Sequence, residues 1–124
     1  MRIAVSQIEY DAMHVTEWHE HASGQLFWFS QGLMIIETEL IQWVVTPGTL
    51  GWFPPNLSQR ARSTANANGR CLYLGPSASH FFPLSAGVYG AVTFILALLE
   101  RLCLNLSEGY QEALLKVLTA ELRP

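Results

Sequence analysis

The feature that most constrains this chain is a change of hydrophobic period near Pro83. Before it, short apolar runs alternate with turn formers at close intervals. The runs at 25–30, 33–38, 41–46, 50–53, 59–63 and 70–74 are rich in Trp, Phe, Ile, Val and Thr, which suit a pleated, half-buried surface. Gln31-Gly32, Pro47-Gly48, Pro54-Pro55-Asn56 and Ala67-Asn68-Gly69 read as the turns between them. Strands this short and this evenly spaced predict a sandwich or barrel. After Pro83 the spacing becomes helical. Val88, Ala91, Val92, Ile95, Leu98, Leu99 and Leu102 predict a first helix. Ser107 is a candidate N-cap with Glu108 in the first turn of a second helix. Tyr110, Ala113, Leu114, Val117 and Leu118 form its apolar stripe, and Pro124 follows as a stop. The short Asn105-Leu106 link makes the two helices antiparallel neighbours.

The expected architecture is therefore mainly β: a barrel or sandwich over residues 1–83, then a helical hairpin over 84–124, together one domain. The 124 residues suffice for a core without metal or disulfide staples. Half are hydrophobic and only 14% are charged, which excludes intrinsic disorder. So little charge also implies more apolar surface than one small domain hides. A homodimer or a missing neighbouring domain would account for it, and the hairpin's surplus either makes a homodimer contact or covers the barrel's own face.

Charge excludes a second class of function. The net charge is −3, and no Lys or Arg occurs between Ile3 and Gln59. Nucleic acid demands clustered positive charge, and only Arg60, Arg62 and Arg70 come near one another in sequence. Cys71 and Cys103 have no metal or redox spacing and read as buried, reduced thiols. The most apolar stretch, 86–99, falls short of the ~20 residues a membrane span needs. No signal-peptide pattern opens the chain, so a cytoplasmic protein without membrane partners is expected.

One stretch carries chemical information: Trp18-His19-Glu20-His21-Ala22-Ser23-Gly24-Gln25. On a strand, His19 and His21 point to one face and make half of a metal site. With Gln25 extending that face, Phe27 and Phe29 follow inward, Phe27 as pocket wall and Phe29 as core. His14 lies one strand upstream, on the surface or near the pocket. His80, beside Phe81-Phe82-Pro83, reads as a histidine at a strand end.

The spacing from His19 through Gly32 resembles the first motif of the cupin superfamily: His-x-His, three residues, an acidic residue, six residues, Gly. The second motif is recognisable in Pro47-Gly48 and in Gly51-Trp52-Phe53-Pro54-Pro55-Asn56-Leu57-Ser58-Gln59. Its usual glycine is Asn56 and its usual metal-binding histidine is Gln59, while the acidic position of the first motif is Gln25. Two of four ligand positions are thus amides, which bind transition metals weakly but hydrogen-bond well. The resemblance implies a double-stranded β-helix, or jelly-roll barrel. The departures imply a small-molecule site made by His19, His21, Gln25 and Gln59, walled by Phe27 and Trp52.

Gly24-Gln25-Leu26 after the histidines, Trp43 to Gly48, Trp52 to Pro55, Cys71 to Leu74 and the ending Leu118 to Pro124 resemble the N-terminal arm of AraC-type transcription regulators. The resemblance runs from about His14 onward. It implies a cupin-like domain that senses an effector and dimerises through helices. DNA is then contacted only by a C-terminal helix-turn-helix domain absent from this chain. On this reading the chain is not an enzyme and needs no cofactor. Two alternatives remain open: a stand-alone, metal-dependent cupin enzyme, and a metal-responsive sensor using His19, His21 and His14.

Overall fold

The computed structural model describes residues 1–11 and 13–122. The stop expected at Pro124 lies outside the described residues. Two antiparallel sheets face one another. One holds strands in the order β1 (Ile3–Tyr10), β8 (Ala67–Leu74), β3 (Gly24–Gln31), β6 (Thr49–Phe53) and β9 (Gly87–Gly90). The other holds β2 (Val15–His19), β7 (Gln59–Ser63), β4 (Met34–Glu37) and β5 (Gln42–Val45). Three helices follow β8 in sequence: the short α1 (Pro76–Ser79), α2 (Thr93–Leu102) and α3 (Glu108–Glu121). The chain is mainly β, with a cupin-like barrel and C-terminal helices, as expected.

The two faces of the five-stranded sheet do different work. Leu26 and Trp28 of β3, Leu50 and Trp52 of β6, and Leu72 and Leu74 of β8 point outward into one core. Ile95, Leu98, Leu99 and Leu102 of α2 and Leu115 and Leu118 of α3 close over that face. The inward residues Phe27, Phe29, Phe53 and Cys71 meet Met34, Ile36 and Val45 from the opposite sheet in a second core. Strand β3 is covered on both sides from Gly24 to Phe29, which explains its unbroken apolar run. Cys71 and Cys103 are free thiols, the first buried and the second half-buried.

Turn chemistry sets the hairpins. Gly32, between β3 and β4, has φ of 76°, and a Cβ there would strike the Asn66 carbonyl. Ser107 caps α3 as expected, its hydroxyl accepting from the Tyr110 amide at 3.4 Å. No helix among the described residues is long and apolar enough to cross a membrane.

Four expectations need correction. Strand structure continues beyond Pro83: Gly87–Gly90 forms β9, pairing with β6 from Trp52↔Gly87 to Thr49↔Gly90, so the first helix begins at Thr93 rather than Val88. Glycines at both ends disfavour helix, and pairing satisfies the free edge of β6. Residues 67–69 are strand rather than turn, because β8 is paired on both sides, to β1 and β3. His80 caps α1, not a strand. On α3 the buried positions are Leu115 and Leu118, while Tyr110, Ala113 and Val117 of the expected stripe face outward. The apolar residues span more than one face, so periodicity alone did not decide which one docks.

Candidate functional site

The inner faces of the two sheets enclose a cavity of about 200 Å³. One end is polar. His19 is the last residue of β2 and sits opposite Gln59, the first residue of β7. Gln25, near the start of β3, sits opposite Tyr73 of β8. His21 lies past the end of β2, so strand alternation does not place it. The loop is held instead by the Asn56 amide, which donates to the His21 carbonyl at 2.8 Å. Asn56 has φ of 62°, so it preserves the left-handed backbone that glycine supplies in the cupin pattern.

Hydrogen bonds join these groups. Gln59 Nε2 donates to Gln25 Oε1 at 2.6 Å, both residues being buried. Tyr73 lies opposite Gln25 on the neighbouring strand, and burial is the main cause that pushes its phenol above the ordinary range. His19 Nδ1 lies 2.6 Å from the Glu17 carbonyl. A carbonyl only accepts, so Nδ1 carries the proton and Nε2 is left for a ligand. The His19 and His21 rings meet edge-on at 4.7 Å, and His21 tilts against Tyr73 at 5.7 Å. Burial, followed by the proximity of His19, lowers the His21 pKa below its ordinary value.

Deeper in the barrel the lining becomes apolar, with Ile8, Phe27, Met34, Ile36 and Ala61, interrupted by Ser6, Tyr10 and Thr16. Among the described residues, no Lys, Arg, Asp or Glu lines this cavity.

Five of the six residues expected at the site line the cavity: His19, His21, Gln25, Phe27 and Gln59. Trp52 does not. It pairs with Leu26, whereas Phe53 pairs with the inward Gln25, so Trp52 belongs to the outer face of its sheet. Its ring stacks on Phe82 at 4.6 Å and its indole N–H donates to the Pro83 carbonyl at 2.8 Å. There it borders a separate groove with Pro54, Pro55, Pro76 and Pro83. Phe29 is core, as expected. His14 does not line the cavity; it stacks on Tyr10 at 3.8 Å and hydrogen-bonds Thr16. Sequence reasoning missed Ser6, Ile8 and Tyr10, because β1 was not recognised as a strand. Alternation along 33–38 and 70–74 would have found Met34, Ile36 and Tyr73.

The fold implies a metal at this position, and the donor set does not fit one. Gln25 and Gln59 offer only neutral amide oxygens, which are weak ligands for a transition metal, and Gln25 Oε1 already accepts from Gln59 Nε2. Among the described residues, no group of three or more His, Cys, Asp or Glu side chains is placed to hold a metal ion.

No protein-family model matches the chain, and no curated protein matches it. Solved structures do. ToxT from Vibrio cholerae matches with a TM-score of 0.72 at 8% identity, over 97% of this chain and 55% of that one. Wild-type ToxT from V. cholerae strain SCE256 with an unsaturated fatty acid bound matches with a TM-score of 0.68 at 9% identity, over 93% of this chain and 50% of that one. A cupin superfamily protein from Desulfitobacterium hafniense DCB-2 matches with a TM-score of 0.56 at 14% identity, over 60% of this chain and 68% of that one. The chain thus spans about half the length of the ToxT chains it matches. At these identities the likeness establishes the fold.

Proposed function

We propose that this chain is the effector-sensing and dimerisation domain of an AraC-type transcription regulator. It takes a small molecule into the barrel and controls a helix-turn-helix DNA-binding domain in a longer protein. The observation that carries this reading is the extent of the likeness to ToxT, an AraC-family regulator. It covers 97% of this chain, against 60% for the cupin protein. A ToxT structure with a fatty acid bound supports a ligand-sensing role for the shared fold.

The mechanism is linkage: an effector that binds one arrangement of the domain more tightly shifts the population toward it. The structure offers a short route from cavity to hairpin. Strand β8 carries Tyr73 on the cavity side, while Arg70 on its other face pairs with Glu100 of α2 at 2.6 Å. Leu72 and Leu74 of the same strand pack in the core shared with α2 and α3. A ligand that displaces Tyr73 therefore acts on the seat of the helices.

The stand-alone cupin enzyme gains nothing from the site. Its metal positions include two mutually bonded amides, and no carboxylate among the described residues lines its cavity. A metal-responsive sensor using His19, His21 and His14 lacks its third ligand in this arrangement, because His14 stacks on Tyr10 and does not line the cavity.

The test fuses residues 1–124 to a DNA-binding domain that acts on a reporter only as a dimer. The expected result is reporter output above that of the DNA-binding domain alone, altered by an effector, with the alteration lost in the His19→Ala, His21→Ala double variant. Output equal to the unfused domain, with no response to any compound, would overturn the reading.

A further inference from the structure

The cavity has a polar end, and its deeper lining is mostly apolar, broken by Ser6, Tyr10 and Thr16; this uneven lining selects a ligand class. Strand registers place His19, Gln25, Gln59 and Tyr73 in one layer, while Phe27, Ile36 and Ala61 lie two residues deeper along their strands. We propose that the cavity binds a small, uncharged monocyclic phenol. Its hydroxyl sits at the His19 and His21 end, and its ring lies against Phe27 and Ile36. The proposal rests on the sensor reading above and gives it a chemical class.

Size sets the first limit. An apolar cavity of about 150 Å³ holds benzene. The ~200 Å³ here admits a ring with a hydroxyl and one small substituent.

Charge sets the second limit. A carboxylate would enter a cavity that no Lys or Arg among the described residues lines, and would stand there unpaired unless His21 took up a proton. Burial and His19 both oppose that protonation. A phenol, with an ordinary pKa near 10, enters neutral.

Hydrogen-bonding capacity sets the third. With Nδ1–H committed to the Glu17 carbonyl, the His19 ring presents Nε2 toward one O–H of a ligand. A sugar would place several further hydroxyls deeper in the barrel, where Ser6, Tyr10 and Thr16 are the polar side chains of the described lining, and each hydroxyl left against Phe27, Met34 or Ile36 would cost about 1–3 kcal/mol. A phenol has one polar group and an otherwise apolar ring, matching the two ends.

The sign of the pH dependence separates the classes. The titratable groups facing His21 are His19 from β2 and Tyr73 from β8. Protonating an imidazole removes its acceptor, so phenol binding weakens as pH falls. Carboxylate binding would strengthen.

The test is calorimetric titration at pH 7.5 with 4-methylphenol, toluene, benzoate, glucose and oleate, on wild type and on Phe27→Trp, which fills the apolar end. Folding of the variant is checked by circular dichroism, with Phe27→Met as a second variant if it fails. The expected result is one-to-one binding of 4-methylphenol, roughly tenfold weaker binding of toluene, which lacks the hydrogen bond, and loss of both in Phe27→Trp. Preferred binding of benzoate, glucose or oleate that Phe27→Trp blocks would overturn the phenol class and leave the sensor reading standing. Binding of 4-methylphenol that neither Phe27 variant weakens would overturn the site. If no probe binds, the class is overturned, and the reporter fusion decides separately whether the sensor reading falls with it.

Discussion

Gln59 Nε2 donates to Gln25 Oε1 at 2.6 Å across the interior of the barrel. The bond joins β7 of the four-stranded sheet to β3 of the five-stranded sheet. In the cupin pattern a metal would make that cross-sheet link. Here two amides make it directly.

Each amide is buried, so its partner is its main compensation for lost water. Gln25→Leu or Gln59→Leu alone should cost about 1–3 kcal/mol, because the surviving amide is left unpaired. The double variant should cost clearly less than the sum of the two. Urea unfolding of the four proteins gives the coupling directly. Strict additivity would show that the two side chains do not interact.

Restoring the cupin donor types should restore a metal site. Gln25→Glu with Gln59→His removes the amide pair and places a carboxylate and a third imidazole beside His19 and His21. The expected outcome is near-stoichiometric Zn²⁺ or Ni²⁺ in the double variant after dialysis, and none in the wild type. Metal analysis by plasma emission decides it. Stoichiometric metal in the wild type would contradict the account of the amides given above.

The site was legible because it rests on spacing. His-x-His, Gln25 and Gln59 occupy motif positions; the register brings His19, Gln25 and Gln59 to one end of the cavity, and the loop after β2 brings His21 there. Strand β7 was recognisable at its observed bounds, since turn formers flank it closely. The parts that escaped depend on tertiary context. Strand β1 has a polar inward residue, Ser6, and an outward Val5, so its alternation is weak. Trp52 is as apolar as a pocket wall should be, and only its register with Leu26 shows that it faces the helices. Strand β9 is four residues long, and Val88, Ala91 and Val92 fall by coincidence on the helical spacing of α2.

The lowered pKa of His21 makes a stability prediction with a definite sign. The unfolded chain holds the His21 proton at higher pH than the folded one, so acidification favours unfolding. This contribution is fully present above the ordinary histidine value of about 6.5 and is lost as pH falls from there toward the lower folded value. The melting temperature of the wild type should therefore drop on acidification through pH 6.5 more steeply than that of His21→Gln. Parallel curves for the two proteins would remove His21 as the cause.

The hairpin prediction follows from which face of α3 is used. Leu115 and Leu118 are fully buried against the sheet, while Tyr110 and Val117, seven residues apart and so on one side of the helix, are 44% and 42% exposed. On α2, Phe94 is 50% exposed. An apolar row on a helix whose other face is already docked is the expected seat of a second copy. Val117→Glu and Phe94→Glu should convert a concentration-dependent dimer into a monomer without lowering the intrinsic stability of the fold, because neither side chain is in the core. Leu118→Ala should instead cost about 2–5 kcal/mol and act on folding itself. Sedimentation velocity over a concentration series, paired with urea unfolding, separates the two effects. A wild type that stays monomeric at every concentration would overturn the dimerisation role of the hairpin, and the barrel would have to signal through another surface.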